Sequence, residues 1–215
     1  MNPKTMQFQG QVGIVDCAID WPTTPEITGW ALLLHPHPLY DGSRDNKVIT
    51  TMARLCTQLG FVVVRPNFRG VGLSEGVFDK AHGETFDMLA VYEQFLQTYP
   101  ELMDKRFVLG GFSFGTAVAT QLYNELKDRG LTLPDSLVLT GPAVWRFTWR
   151  EIVLPAENTL VVHGENDEVV PLQEVFDWFR PYHVPVVVVP ESTHFFHGNL
   201  IILKRLVHDF INRLR

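Results

Sequence analysis

The 215-residue sequence predicts a three-layer α/β fold, a mostly parallel sheet with helices on both faces, in a single domain over residues 1–215. Three observations carry that prediction. Short runs rich in Val and Leu alternate with longer amphipathic stretches, the order expected of strand–helix units. The short runs show little polar alternation, as strands do when helices cover both faces of their sheet. The length suits one well-buried domain and is short for two.

Six runs read as strands: residues 30–34 (WALLL), 61–64 (FVVV), 106–109 (RFVL), 137–139 (LVL), 159–162 (TLVV) and 184–189 (VPVVVV). Residues 8–19 read as one or two more, antiparallel at the sheet edge. Ile49, Met52, Ala53, Cys56 and Leu59 share one helical face, and Gly60 follows as a stop. Phe86, Leu89, Glu93 and Leu96 give a weaker helical pattern that ends before Pro100, and Ala117, Val118, Gln121 and Leu122 begin a third. Leu203, Leu206, Val207, Phe210 and Leu214 mark the last helix. In open parallel sheets ligands bind beyond the carboxyl ends of the strands, so the residues directly after the apolar runs are the ones to weigh.

Composition narrows the classes of function. A net charge of −6 argues against an extended basic groove for nucleic acid. Cys17 and Cys56 are the only cysteines, which excludes a disulfide framework and suits two free thiols in a reducing cytoplasm. Residues 1–10 (MNPKTMQFQG) hold no apolar run of the signal-peptide kind, and stretches such as 184–189 are too short to span a bilayer. The expectation is a soluble cytoplasmic protein, a monomer or homodimer, that binds neither nucleic acid nor membrane.

Gly111-Phe112-Ser113-Phe114-Gly115 follows the run 106–109 directly and opens a helical pattern. G-x-S-x-G between strand and helix forces a sharp turn that exposes the serine hydroxyl above the sheet, next to the free N–H groups of a helix start. Gly110 and Gly115 also have phosphate-loop spacing, but Thr116 stands where the lysine should be. A serine hydroxyl needs a base, and the base an orienting acid. Asp167 lies just past the run 159–162, in His163-Gly164-Glu165-Asn166-Asp167, and is the candidate acid. Glu165 competes for that role and reads better as a loop residue bonding backbone. His194 follows the run 184–189 and is the candidate base, with His197 as the alternative. The H-x-x-H spacing of that pair does not match the helical zinc arrangement, and no metal is expected.

Acyl transfer also needs donors aimed at the developing oxyanion. The Phe114 N–H, next to Ser113, is one candidate. The second should come from the loop after residues 30–34, His35-Pro36-His37-Pro38-Leu39-Tyr40; the prolines have no N–H, which leaves His37, Leu39 and Tyr40, with Leu39 favoured narrowly over His37. His35 and His37 also form H-x-H, yet further ligands are missing and His35 reads as a buried structural histidine. Residues 69–76 (RGVGLSEG) place their third glycine one position late for a dinucleotide fingerprint and read as a turn-rich loop. Arg69 reads there as a surface or ion-pair residue. Tyr40, Trp145 and Phe195 are the candidate pocket residues, and Trp145, Phe147 and Trp149 would form an aromatic rim.

Together these segments resemble the α/β-hydrolase superfamily along nearly the whole chain. More narrowly the chain is similar to its compact members with an HPHP loop (35–38), RPNFRG-x-G-x-S (65–74), G-x-S-x-G (111–115), HG-x-x-D-x-x-V-P (163–171) and THFF (193–196). The resemblance implies an eight-stranded, mostly parallel sheet, a nucleophile elbow and a Ser113–His194–Asp167 catalytic triad. Caps of this superfamily usually enter after the run 137–139, and residues 140–158 are too few for a sizeable one. The expected activity is hydrolysis of a small carboxylic ester or thioester through an acyl-enzyme, without a cofactor. A peptidase or amidase on the same triad and a non-catalytic binding protein on this scaffold are the alternatives. Protonation of His194 should make the activity fall as pH drops.

Overall fold

The structure, a computed structural model, describes residues 3–213. Leu214, expected to close the apolar face of the last helix, lies outside the described residues. Eight strands form one sheet: β1 (Lys4–Gln9), β2 (Ile14–Asp20), β3 (Gly29–Leu34), β4 (Phe61–Pro66), β5 (Arg106–Phe112), β6 (Ser136–Thr140), β7 (Thr159–Gly164) and β8 (Val186–Val189). Their spatial order is β1-β2-β4-β3-β5-β6-β7-β8. β2 runs antiparallel to both β1 and β4, and every pairing from β4 through β8 is parallel. The segment expected as one or two strands is therefore two, joined by a turn in which Gly10 N–H donates to Gly13 O (2.8 Å).

Among the described residues are five α-helices, four between strands and the last after β8: α1 (Lys47–Gln58), α2 (His82–Thr98), α3 (Phe114–Asp128), α4 (Leu172–Phe179) and α5 (Leu200–Asn212). The period-2 geometry of the strands sorts their side chains between two cores. Trp30, Leu32 and Leu34 of β3 join the core under α2, α3 and α4, while Ala31 and Leu33 join the one under α1 and α5. In the larger core the Trp30 ring stacks on Phe107 at 4.0 Å between centroids and meets Phe95 at 5.3 Å.

The departures from the expected elements have local causes. Glu93 is exposed, while Met88, Val91, Tyr92 and Phe95 of α2 are buried. α2 packs on α3 and also meets the β1–β2 hairpin, where Gln11 N–H donates to Asp87 Oδ1 (2.8 Å). A helix covered on two sides shows no clean apolar stripe, which is why its pattern was weak. β8 starts at Val186, because Pro185 has no N–H for the ladder. α4 was not expected from the sequence: its Leu172, Val175, Phe176 and Phe179 fall at helical spacing, but over barely two turns.

Two short 3₁₀ turns, Val144–Arg146 and Ala156–Asn158, are the helical elements between β6 and β7, so no cap covers the strand ends there. No helix among the described residues is long and apolar enough to cross a membrane. Replacing Trp30, 2% exposed, with Ala should lower the unfolding free energy by about 3–5 kcal/mol. Urea unfolding of the two proteins checks this, with a lower midpoint and an unchanged slope expected.

Candidate active site

β5 ends at Phe112 and α3 begins at Phe114, so Ser113 alone makes the turn between them. Its backbone sits at φ 53°, ψ −119°, a conformation that costs a non-glycine residue about 1–3 kcal/mol. Surrounding bonds hold it there. Ser113 N–H donates to Thr140 O (2.9 Å), and the Thr116 N–H and Oγ1–H both donate to Ser113 O (2.9 and 2.6 Å). Thr140 Oγ1 in turn donates to Gly111 O (2.9 Å). The two glycines follow from close approach: a Cβ on Gly115 would lie 2.2 Å from the Leu34 carbonyl oxygen, and one on Gly111 would lie 2.4 Å from the Gly115 carbonyl. Only glycine lets α3 start this near the end of β3.

Asp167 and His194 arrive on the loops after β7 and β8. His194 Nδ1 lies 2.7 Å from Asp167 Oδ2, and its Nε2 lies 2.9 Å from Ser113 Oγ. A carboxylate only accepts, so Nδ1 carries the proton and Nε2 is left to accept from the serine hydroxyl. All three side chains are buried, His194 at 2% exposure. Asp167 Oδ1 accepts from the N–H groups of Val169 (2.9 Å) and Val170 (2.7 Å). Burial alone would push the Asp167 carboxyl up; the hydrogen bond and charge of His194, with the Val170 N–H, outweigh it and hold the carboxyl below its usual range. The sign is that of a group that stabilises the fold above ordinary carboxylate pH and stops doing so as pH falls through its lowered value.

The two loops clasp each other through two glutamates. Glu165 Oε2 accepts from Glu191 N–H (2.9 Å), the backbone-bonding role read for it, and Glu168 Oε2 accepts from His194 N–H (3.1 Å). Asn166 N–H donates to Ser192 O (2.9 Å) between them. Glu168 was missed in the sequence, where an exposed glutamate directly before an apolar pair looks like any solvated charge. His197 is exposed and stacks on Phe195, so His194 rather than His197 meets Ser113.

The loop after β3 departs from the expected oxyanion donor. Leu39 N–H donates to His37 Nδ1 (3.2 Å), and Tyr40 N–H donates to His37 O (3.1 Å). Both candidates are thus engaged inside a 3₁₀ turn that His37 caps, which shifts the narrow preference from Leu39 to the His37 N–H. The His37 ring lies 5.2 Å from that of Phe114, beside the helix start. His35 is buried with both nitrogens occupied, Nε2 accepting from Phe68 N–H (2.9 Å) and Nδ1 donating to Pro36 O (2.6 Å). Burial pushes its imidazole down to about 3, so it is neutral, and with both nitrogens bonded it has no free one to offer a metal beside His37. Among the described residues no cluster of three or more metal-ligating side chains occurs.

The aromatic residues divide. Phe195 flanks His194 at 5.2 Å and Phe112 at 5.7 Å, at the mouth of the site. Tyr40 is 81% exposed and reaches His37 at 4.8 Å. Trp145 packs half-buried on the core beneath the Arg146 guanidinium, and Phe147 is the aromatic of its segment that meets Phe114 (4.9 Å) and His37 (5.5 Å). Phe78 joins the same group, 4.6 Å from His37; it was missed because it lies, beside Val77, in a loop whose residues follow no helical or strand period. Trp149 packs on His82 and Phe86 of α2 instead. Arg69 is an ion-pair residue, buried against Asp87 (2.5 and 3.2 Å).

No protein-family profile matches the chain. Among solved structures, a serine hydrolase without a lid from Xanthomonas campestris is 33% identical with a TM-score of 0.85, covering 99% of this chain and 95% of that one. An α/β serine hydrolase homologue from Coxiella burnetii is 34% identical with a TM-score of 0.81, covering 97% of each chain. A lysophosphatidylserine lipase of Danio rerio is 30% identical over 177 residues, 65% of this chain. The match spans 45% of that lipase's length, less than half of it. A Gly115→Ala substitution should destabilise the protein by about 3 kcal/mol, since Leu34 O and the α3 start must part; equilibrium urea unfolding reads that loss.

Proposed function

The chain belongs to the α/β-hydrolase superfamily, and from that premise we propose that it is a serine hydrolase cleaving small carboxylic esters or thioesters through an acyl-enzyme. The observation that carries this reading is the continuous hydrogen-bonded chain Asp167–His194–Ser113, ending on a serine in a strained turn. Ser113 Oγ attacks the acyl carbon as its proton passes to His194 Nε2. Asp167 keeps the imidazole in the required tautomer and stabilises the imidazolium as it forms. The N–H groups of Phe114 and His37 receive the developing oxyanion, the former reinforced by the α3 dipole. The tetrahedral intermediate collapses, and the leaving alkoxide or thiolate takes the proton from His194. Water then attacks the acyl-Ser113 ester, giving its proton to His194, and the acid leaves as Ser113 regains it.

Two features support a small, ester-type substrate. The segment between β6 and β7 builds no α-helix over the strand ends, which favours a shallow, open acyl site. The zebrafish relative is named a lipase, which favours ester over amide cleavage. Phe195 and the His37–Phe78–Phe147 group are the apolar walls against which a short acyl chain would lie, with Tyr40 at the rim. The reading includes a cytoplasmic setting, which Cys17 and Cys56 as buried free thiols favour, and a monomer or homodimer, on which they do not bear.

Wild type should hydrolyse acetyl and butyryl p-nitrophenyl esters or the matching thioesters in preference to long-chain ones. Ser113→Ala should lower kcat by at least about 10⁴-fold. Steady-state kinetics on a chain-length series check both; a folded wild type no faster than Ser113→Ala would overturn the reading. Glu168→Ala, which frees the His194 N–H, should lower kcat by about 10-fold with KM little changed, measured on the same esters.

A further inference from the structure

The HG-x-x-D segment contributes a second histidine that the chemistry above does not use. His163 is the penultimate residue of β7, fully buried. Its Nε2 lies 2.9 Å from the Val170 carbonyl oxygen and 3.5 Å from Asp167 Oδ2, the oxygen that holds His194. A carbonyl cannot donate, so the proton sits on Nε2. Nδ1 is buried without a hydrogen-bond partner among the described residues, an unsatisfied acceptor that a structural side chain would ordinarily avoid.

The geometry is reciprocal. Val170 N–H donates to Asp167 Oδ1 (2.7 Å), and Val170 C=O accepts from His163, so the two peptide groups flanking one residue are held, one by the acid and the other by the histidine. The loop from Glu165 to Val170 has no regular structure of its own. Without the His163 contact, the backbone of Val170 is hydrogen-bonded at its N–H and not at its C=O, and the core packing of its side chain is left to hold the rest. The Nε2 also lies 3.5 Å from Asp167 Oδ2, near enough for its N–H dipole to act on the carboxylate. A neutral donor there steadies the carboxylate without neutralising it, whereas a lysine or arginine would draw its charge away from His194.

Resting on the hydrolase reading above, we propose that His163 is a positioning residue of the site. As a neutral donor it fixes the Val170 carbonyl, and through the backbone of that residue the N–H that orients Asp167 toward His194. It touches neither substrate nor Ser113, and acts through the acid.

Three variants of the full chain test this. Glutamine at the position keeps an N–H near the place of the imidazole Nε2; leucine fills similar volume with no donor; asparagine is polar but too short to reach Val170 O. His163→Leu and His163→Asn should each lose about 10- to 100-fold in kcat on a short-chain p-nitrophenyl ester, with KM within about twofold of wild type. His163→Gln should recover kcat to within about threefold of wild type, which a requirement for ring packing alone would not allow. Thermal unfolding reports whether each variant folds; if His163→Leu does not, the His163→Asn and His163→Gln pair decides. Equal losses in the donor-bearing and donor-less variants, or no loss in either, would overturn the proposal while leaving the hydrolase reading intact. Wild type matching Ser113→Ala on every ester would instead overturn the reading on which it rests.

Discussion

The turn at Ser113 is the constraint around which the rest of the molecule is arranged. A side-chain-bearing residue at φ 53° persists only where its surroundings over-determine it. Here β6 supplies Thr140 on one side, α3 supplies Thr116 on the other, and two glycines let the backbones of β3 and α3 meet. The strain has a geometric product: Ser113 Oγ faces His194 instead of folding back to cap its own helix, and α3 has no side-chain cap bond at its start. The two apolar cores on either side of the sheet make this arrangement rigid enough to hold.

A second layer of order is polar and lies at the opposite edge of the site. The loops after β7 and β8 carry no helix or strand near Asp167 and His194, and the glutamate–amide bonds and shared peptides between them take the place of regular structure. Hydrogen bonds to charged groups are stronger than neutral ones, so a few suffice to fix a short loop. Asp167 is at once a member of the Ser–His–Asp chain and the cap of its own loop, since Oδ1 takes two backbone N–H groups while Oδ2 takes His194. His163 closes that loop from the β7 side.

The parts of this arrangement that are backbone-periodic were legible in the sequence. Buried parallel strands are runs of Val and Leu, and in such a sheet the residues just beyond them gather at one edge, which made Ser113, Asp167 and His194 recognisable as a set. The turn at Ser113 was legible because its glycines are demanded by backbone contact at Leu34 and Gly115. What stayed hidden depends on side-chain direction. Nothing in HPHPLY says that the His37 ring will accept from the Leu39 N–H, yet that bond removes Leu39 from the choice of oxyanion donors. Glu168 and Phe78 act through partners more than twenty residues away, and Phe147 displaces Trp145 because of how one 3₁₀ turn is oriented. α2 was blurred for the opposite reason: burial on two sides erased its amphipathic stripe.

The central claim is that Ser113 is held as an activated nucleophile by His194 and Asp167. The most direct measurement is intact-mass and peptide analysis after treatment with a fluorophosphonate, for wild type and for Ser113→Ala, His194→Ala and Asp167→Asn. The account predicts one adduct, on the peptide carrying Ser113, absent from Ser113→Ala and formed far more slowly in the other two. A folded wild type that takes no label, takes it on another residue, or labels as fast without His194 would contradict it.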